Sequence, residues 1–81
     1  MPVYQSRVDK ARRLIALTTQ IQSAREAEEA AQQDIARVEG EGSPAELIAA
    51  HRVLAEDANE QLVALEAEYE ELKKEFTIVE P

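Results

Sequence analysis

His51 and Glu28 are the first pair of side chains in this sequence that could do chemistry. Both fall at positions of an apolar heptad repeat, so both are expected to face the inside of a helical pair. A buried imidazole beside a carboxylate can act as a general base or respond to pH. It can equally be a polar layer that fixes helix register and helix number. Because no nucleophile or oxyanion donor set accompanies the pair, we interpret it as a core polar layer and predict no catalytic residue.

A run of carboxylates near the C-terminus could in principle bind a hard cation. Calcium loops arrange their oxygen ligands around a sharp bend that carries a glycine, whereas these carboxylates are spaced along a predicted helix. Their pattern is more typical of a solvated, salt-bridging helix face. We therefore predict neither a metal site nor a cofactor at Glu66, Glu68, Glu70, Glu71 and Glu75.

A group of cations near the N-terminus, Arg7, Lys10, Arg12, Arg13 and Arg25, complements those carboxylates. The group lacks interleaved aromatic residues, and the chain as a whole has a formal charge of −8. Direct nucleic-acid binding is therefore not expected. If the chain folds back on itself, the cations lie beside the carboxylates, and these pairs favour that fold although each exposed one contributes only about 0.5 kcal/mol.

Two long helices are the elements that position these groups. Apolar residues recur at alternating spacings of three and four, first from Leu14 to Val38 and again from Ile48 to Phe76. A heptad repeat without a stutter predicts helices that pack along one seam with a left-handed supercoil. The predicted seam residues are Leu14, Leu17, Ile21, Ala24, Glu28, Ala31, Ile35 and Val38 in the first helix, and Ile48, His51, Ala55, Ala58, Leu62, Leu65, Tyr69, Leu72 and Phe76 in the second.

The segment between the two repeats carries signals for the end of one helix and the start of another. Gly40 is expected to take the left-handed conformation that closes a helix. Ser43 is expected to cap the next helix in a capping box with Glu46, and Pro44 to occupy the first helical position. Since so short a connector joins antiparallel neighbours, the segment predicts a helical hairpin.

The predicted fold class is therefore all-α: an antiparallel two-helix coiled-coil hairpin that forms a single domain. We expect helix 1 over about residues 6–39 with Ser6 as its cap, a turn at 40–43 and helix 2 over about 44–76. The tails, 1–5 and 77–81, are expected to be extended because they combine β-branched or aromatic residues with proline. Residues whose numbers sum to about 83 are expected to face each other across the seam, as Ile21 and Leu62 do.

Several apolar residues fall outside the predicted seam. A helix that is buried against more than one neighbour has a widened apolar stripe, although single exposed hydrophobic residues are common. A two-helix seam also buries little apolar surface for a chain of this length. We therefore predict that the hairpin assembles into a helical-bundle oligomer or docks on a larger complex, through an interface at Val8, Ile15, Leu47, Val53 and Leu54.

These patterns predict a non-enzymatic structural or assembly protein that acts through contacts with a protein partner or with copies of itself. Small bacteriophage virion or assembly components and secretion-type chaperones have this general build, which is an analogy of architecture alone. The alternative is an acidic inhibitor that mimics nucleic acid or binds a regulator, with its carboxylates placed where phosphates would bind.

The expected location is the cytoplasm or the interior of a virion. The sequence contains no cysteine, and no apolar run approaches the length of a membrane span. The N-terminal residues lack the apolar core of a signal peptide. We therefore expect no membrane insertion.

Overall fold

A computed structural model of the chain describes residues 6–77, and within that range it contains two α-helices and no strand. Helix α1 spans Arg7–Gly40 and helix α2 spans Ala45–Phe76. The two helices pack against each other along their length as a hairpin. The prediction of an all-α helical hairpin is therefore confirmed. The predicted extended tails lie outside the described residues, apart from Thr77, whose backbone is extended.

The core lies along the seam between the helices. Near the open end, Leu17, Ile21 and Leu72 are buried, and Leu17 has no exposed surface at all. Four half-buried neighbours pack against this cluster: Leu14, Leu62, Leu65 and Tyr69. Val38 near the turn and Ala55 further along α2 are also buried. Every residue that the heptad repeat assigns to the seam is buried or half-buried, so one apolar stripe on each helix accounts for the packing.

The turn places its left-handed residue two positions later than the sequence predicts. Gly40 is the last residue of α1, and Gly42 has the positive φ, +67°. The amide of Gly42 donates to the carbonyl of Glu39, and the amide of Ser43 donates to that of Val38, at 3.2 and 3.0 Å. These two bonds form a Schellman motif, which requires the left-handed residue after the C-cap, here Glu41. Glycine adopts that conformation without the steric cost of a Cβ atom.

The start of α2 also differs from the predicted capping box. Pro44 is the N-cap rather than the first helical residue, and its carbonyl accepts the amides of Leu47 and Ile48. Ser43 lies one position before the N-cap, its amide donates to Val38 of α1, and no side chain caps this helix. Glu46 therefore stabilises the helix only as an acidic residue in the first turn, where its negative charge interacts favourably with the helix dipole. At the start of α1, the Ser6 hydroxyl accepts the amide of Asp9 at 3.1 Å.

Candidate functional site

Glu28 and His51 both occupy half-buried seam positions, but they belong to different layers of the hairpin. The Glu28 carboxylate accepts a hydrogen bond from the Asn59 side-chain amide at 3.0 Å. Asn59 lies eight residues beyond His51, or about 12 Å along the helix axis. The predicted pairing of Glu28 with His51 is thus replaced by Glu28–Asn59. The pairing already disagrees with a register in which facing residue numbers sum to about 83, since that sum places Ala55 opposite Glu28. The chain also reverses about one residue later than predicted, which moves the residue that faces Glu28 further from His51.

Replacing His51 with leucine is expected to leave the hairpin folded and to raise its free energy of unfolding by about 1 kcal/mol. A leucine at a half-buried seam position adds apolar burial without removing a buried ion pair. Thermal unfolding followed by circular dichroism measures the change, with Ala50→Leu on the exposed neighbouring position as the control. A loss of helicity in His51→Leu but not in the control would contradict this prediction and would show that the imidazole makes a contact that the fold requires.

Cross-helix ion pairs join the basic half of α1 to the acidic half of α2, as the sequence predicts. The strongest in geometry is a two-point contact in which the Arg13 guanidinium donates to both carboxylate oxygens of Glu68 at 2.7 Å. Such forked geometry adds orientation as well as attraction. Two further pairs of this kind, Lys10–Glu75 and Arg25–Glu66, bridge the helices at 3.2 and 3.0 Å. Near the turn a pair of the opposite sense joins Arg52 of α2 to Glu39 of α1 at 3.3 Å. Because these pairs are exposed, each adds little to the free energy of unfolding. Their main effect is to favour this register of the two helices over other registers.

The open end of the hairpin is closed by the first residue of α1. The Arg7 guanidinium lies over the ring of Phe76, 5.3 Å from its centroid, and donates to the backbone carbonyl of Glu75 at 3.4 Å. A cation over an aromatic face is attracted by the ring quadrupole. The start of α1 and the end of α2 are therefore held together.

The two flanks of the seam differ in chemistry. We call one the ion-pair flank, because Arg25–Glu66, Arg52–Glu39 and Asn59–Glu28 bridge the helices there. The surface depressions on this flank are lined in part by these charged and amide side chains. Six polar side chains on this flank are thus engaged with each other in pairs across the seam.

We call the opposite side the groove flank. It holds an open groove of about 590 Å³, lined by Thr19, Gln20, Ser23, Ala24, Ala27, Gln61, Ala64 and Leu65. The lining contains no charged residue, and small side chains on both helices make the groove shallow and mainly apolar. The Arg13–Glu68 pair lies on the same flank, one heptad nearer the open end, and Arg13 also donates to Gln20 at 3.3 Å. Leu54 and Leu47 lie one and two heptads before Gln61, so they occupy the same flank of α2, closer to the turn.

All five residues of the predicted interface are exposed. Their exposed fractions range from 43% for Leu47 to 70% for Ile15, and Val53 and Leu54 are both 62% exposed. Sequence reasoning missed Val63, which is 56% exposed. Its position directly after the seam residue Leu62, like that of Ile15 after Leu14, is the signal that could have found it.

Comparison with known proteins identifies no relative. No protein-family model, curated protein or solved structure matches this chain. Within residues 6–77, no helix is long and apolar enough to cross a membrane. Over the same residues, no three histidine or carboxylate side chains come together as a metal site. The exposed apolar side chains and the groove are therefore the surface features from which a function can be argued.

Proposed function

We propose that this protein is a non-enzymatic structural or assembly protein that works through protein–protein contacts, chiefly by self-association. The observation that carries the proposal is the set of large apolar side chains left exposed outside the seam. Fully burying one valine, leucine or isoleucine contributes about 1.5–3 kcal/mol. A small hairpin that leaves several of them in water therefore gains substantially when another surface covers them.

The exposed apolar residues are arranged as stripes. Val8 and Ile15 are one heptad apart on α1 and form what we call the open-end patch. Leu47 and Leu54 are one heptad apart on α2 and form the turn-end patch. Residues seven apart lie on the same side of a helix, so each patch offers two successive anchors to a neighbouring helix. This spacing favours docking of helices over random surface exposure.

The two patches lie on opposite sides of the hairpin. The turn-end patch belongs to the groove flank, whereas Ile15 lies one turn before Thr18, which lines the ion-pair flank. Surfaces on opposite flanks allow a molecule to contact two neighbours at once. This arrangement supports a role in assembly. We propose in addition that the seam itself is a left-handed coiled coil, since the heptad positions are buried or half-buried without interruption from Leu14 to Phe76.

Placing a carboxylate in each of the two patches is expected to dissociate the oligomer into single chains. The double change Ile15→Glu and Leu54→Glu leaves the seam untouched but makes burial of either patch costly, because an unpaired carboxylate would have to be desolvated. We expect unchanged helicity by circular dichroism and a fall to the mass of one chain in light scattering. Gln33→Glu, at an exposed polar position on the outer face of α1, is the control that should keep the mass of the unchanged protein. A monomeric state of the unsubstituted protein at about 100 µM would contradict self-association, since the dissociation constant of a stable oligomer lies well below that concentration.

A further inference from the structure

We infer that the groove flank is a homodimer interface in which two hairpins lie head to tail, with Leu54 of each seated in the groove of the other. The inference rests on the proposed self-association and adds its surface, its occupant and its orientation. A second copy of this chain is the occupant because one flank carries both halves of the contact. A two-fold interface uses the same patch on both partners, so it requires this kind of self-complementarity.

The first half of the contact is the groove itself. Ala24, Ala27 and Ala64 keep its floor low, and the polar side chains at its edge are the neutral Gln20 and Gln61. A helix over the centre of the groove can therefore approach closely without covering a charge. The Arg13–Glu68 pair, whose guanidinium also donates to Gln20 at 3.3 Å, lies beyond the open-end edge of the groove. Small residues at a crossing point are what permits close approach of two helix axes.

The second half of the contact is Leu54. Its side chain is 62% exposed, although it lies on the same flank as the groove and next to it along α2. Leu54 precedes Gln61 at the groove edge by seven residues, or about 10 Å along the axis. A two-fold axis that passes between Leu54 and the groove brings each Leu54 over the other groove. The same rotation carries the exposed Leu47 toward the open end of the partner.

Charge sets the orientation of the two copies. The turn end is acidic, since residues 34–46 contain four carboxylates, Asp34, Glu39, Glu41 and Glu46, and a single cation, Arg37. At the open end, the four cations and one carboxylate of residues 7–13 lie beside the five carboxylates and two cations of residues 66–76, so the charges balance. A head-to-tail dimer sets each acidic turn beside the balanced open end of the other copy, whereas a turn-to-turn dimer would bring two acidic ends together. Repulsion between like charges at an interface disfavours the wrong orientation in this way.

Sedimentation equilibrium of Leu54→Glu against Val53→Glu tests the surface. The two residues are adjacent and equally exposed, but the heptad places Val53 on the outer face of α2 and Leu54 on the groove flank. We expect Leu54→Glu to raise the dimer dissociation constant by at least about 30-fold, the size of effect typical of a central anchor. Val53→Glu should change it by less than about threefold. Equal effects of the two substitutions would overturn the assignment of the groove flank.

Disulfide cross-linking tests the orientation, because the chain has no cysteine of its own. Leu54→Cys places a thiol at the protruding position and Ser23→Cys places one in the groove, and both positions are exposed enough to accept the change. A head-to-tail dimer predicts that mild oxidation of the two variants mixed in equal amounts gives the Leu54→Cys–Ser23→Cys cross-linked dimer. Val63→Cys in place of Leu54→Cys should give none.

The outcomes separate this inference from the proposed function. A Leu54→Cys dimer formed with itself in preference to Ser23→Cys would overturn the head-to-tail arrangement. An unchanged assembly mass with no cross-link through either position would overturn the groove interface while leaving self-association in place. A monomeric protein before any substitution would overturn both. Circular dichroism of each variant verifies that the hairpin is intact before the cross-linking is scored.

Discussion

Leu17→Ala is expected to lower the free energy of unfolding by about 2–5 kcal/mol. Leu17 is the largest side chain in the described residues with no exposed surface, and it packs in the cluster with Ile21 and Leu72. Removing its branched end leaves a cavity that two long, stiff helices cannot collapse to fill. For a chain with a single thin seam, this is a large share of the total stability.

Ile15→Ala is the matched control for Leu17→Ala. It removes a comparable number of carbon atoms two residues away on the same helix, but from a side chain that is 70% exposed. We expect a change below about 0.5 kcal/mol in the isolated hairpin, as is usual for surface positions. Urea unfolding of both variants at one fixed, low protein concentration measures the difference, since association would otherwise add to the apparent stability. Equal losses for the two variants would contradict the placement of the core.

Gly42→Ala is expected to cost about 1–2 kcal/mol, the penalty of placing a residue with a Cβ atom in the left-handed region. The space around Gly42 is open, so the cost comes from its φ of +67° and not from a clash. The Schellman bonds from Gly42 and Ser43 back to α1 need that φ. The hairpin should remain helical but become less stable.

Gly40→Ala is the control for Gly42→Ala, and its effect should have the opposite sign. Gly40 has helical geometry and open space, so alanine should leave the free energy of unfolding unchanged or raise it by up to about 1 kcal/mol. Thermal unfolding of both variants, followed by circular dichroism, compares the two glycines directly. Destabilisation by Gly40→Ala with tolerance of Gly42→Ala would place the left-handed residue where the sequence pattern alone had suggested.

The seam was predictable from the sequence because its signal is repeated many times. Each turn of helix adds an apolar residue in the same phase, so an uncertain position such as His51 is fixed by its neighbours. The turn was not predictable to the residue, because two glycines and a serine within four positions satisfy several capping patterns. Which one forms depends on where the backbone hydrogen bonds of α1 end, and the sequence does not encode that in any single residue.

The candidate site was predictable in part for the same reasons. Leu47 and Leu54 fall outside the heptad seam, and the pattern of α2 alone is enough to predict that they are exposed. The groove requires residues from both helices, such as Ala27 and Gln61, to be placed side by side. That placement depends on the register, and a small error in the register is enough to hide it.

The open-end patch remains uncovered when two hairpins pair through their groove flanks. Val8 and Ile15 lie away from that flank, and head-to-tail pairing carries the two copies of the patch to far ends of the dimer. We therefore propose that a dimer of this form is a bivalent connector. Two further molecules bound to its patches would lie several nanometres apart, and its avidity for a repetitive target would exceed the affinity of either patch alone.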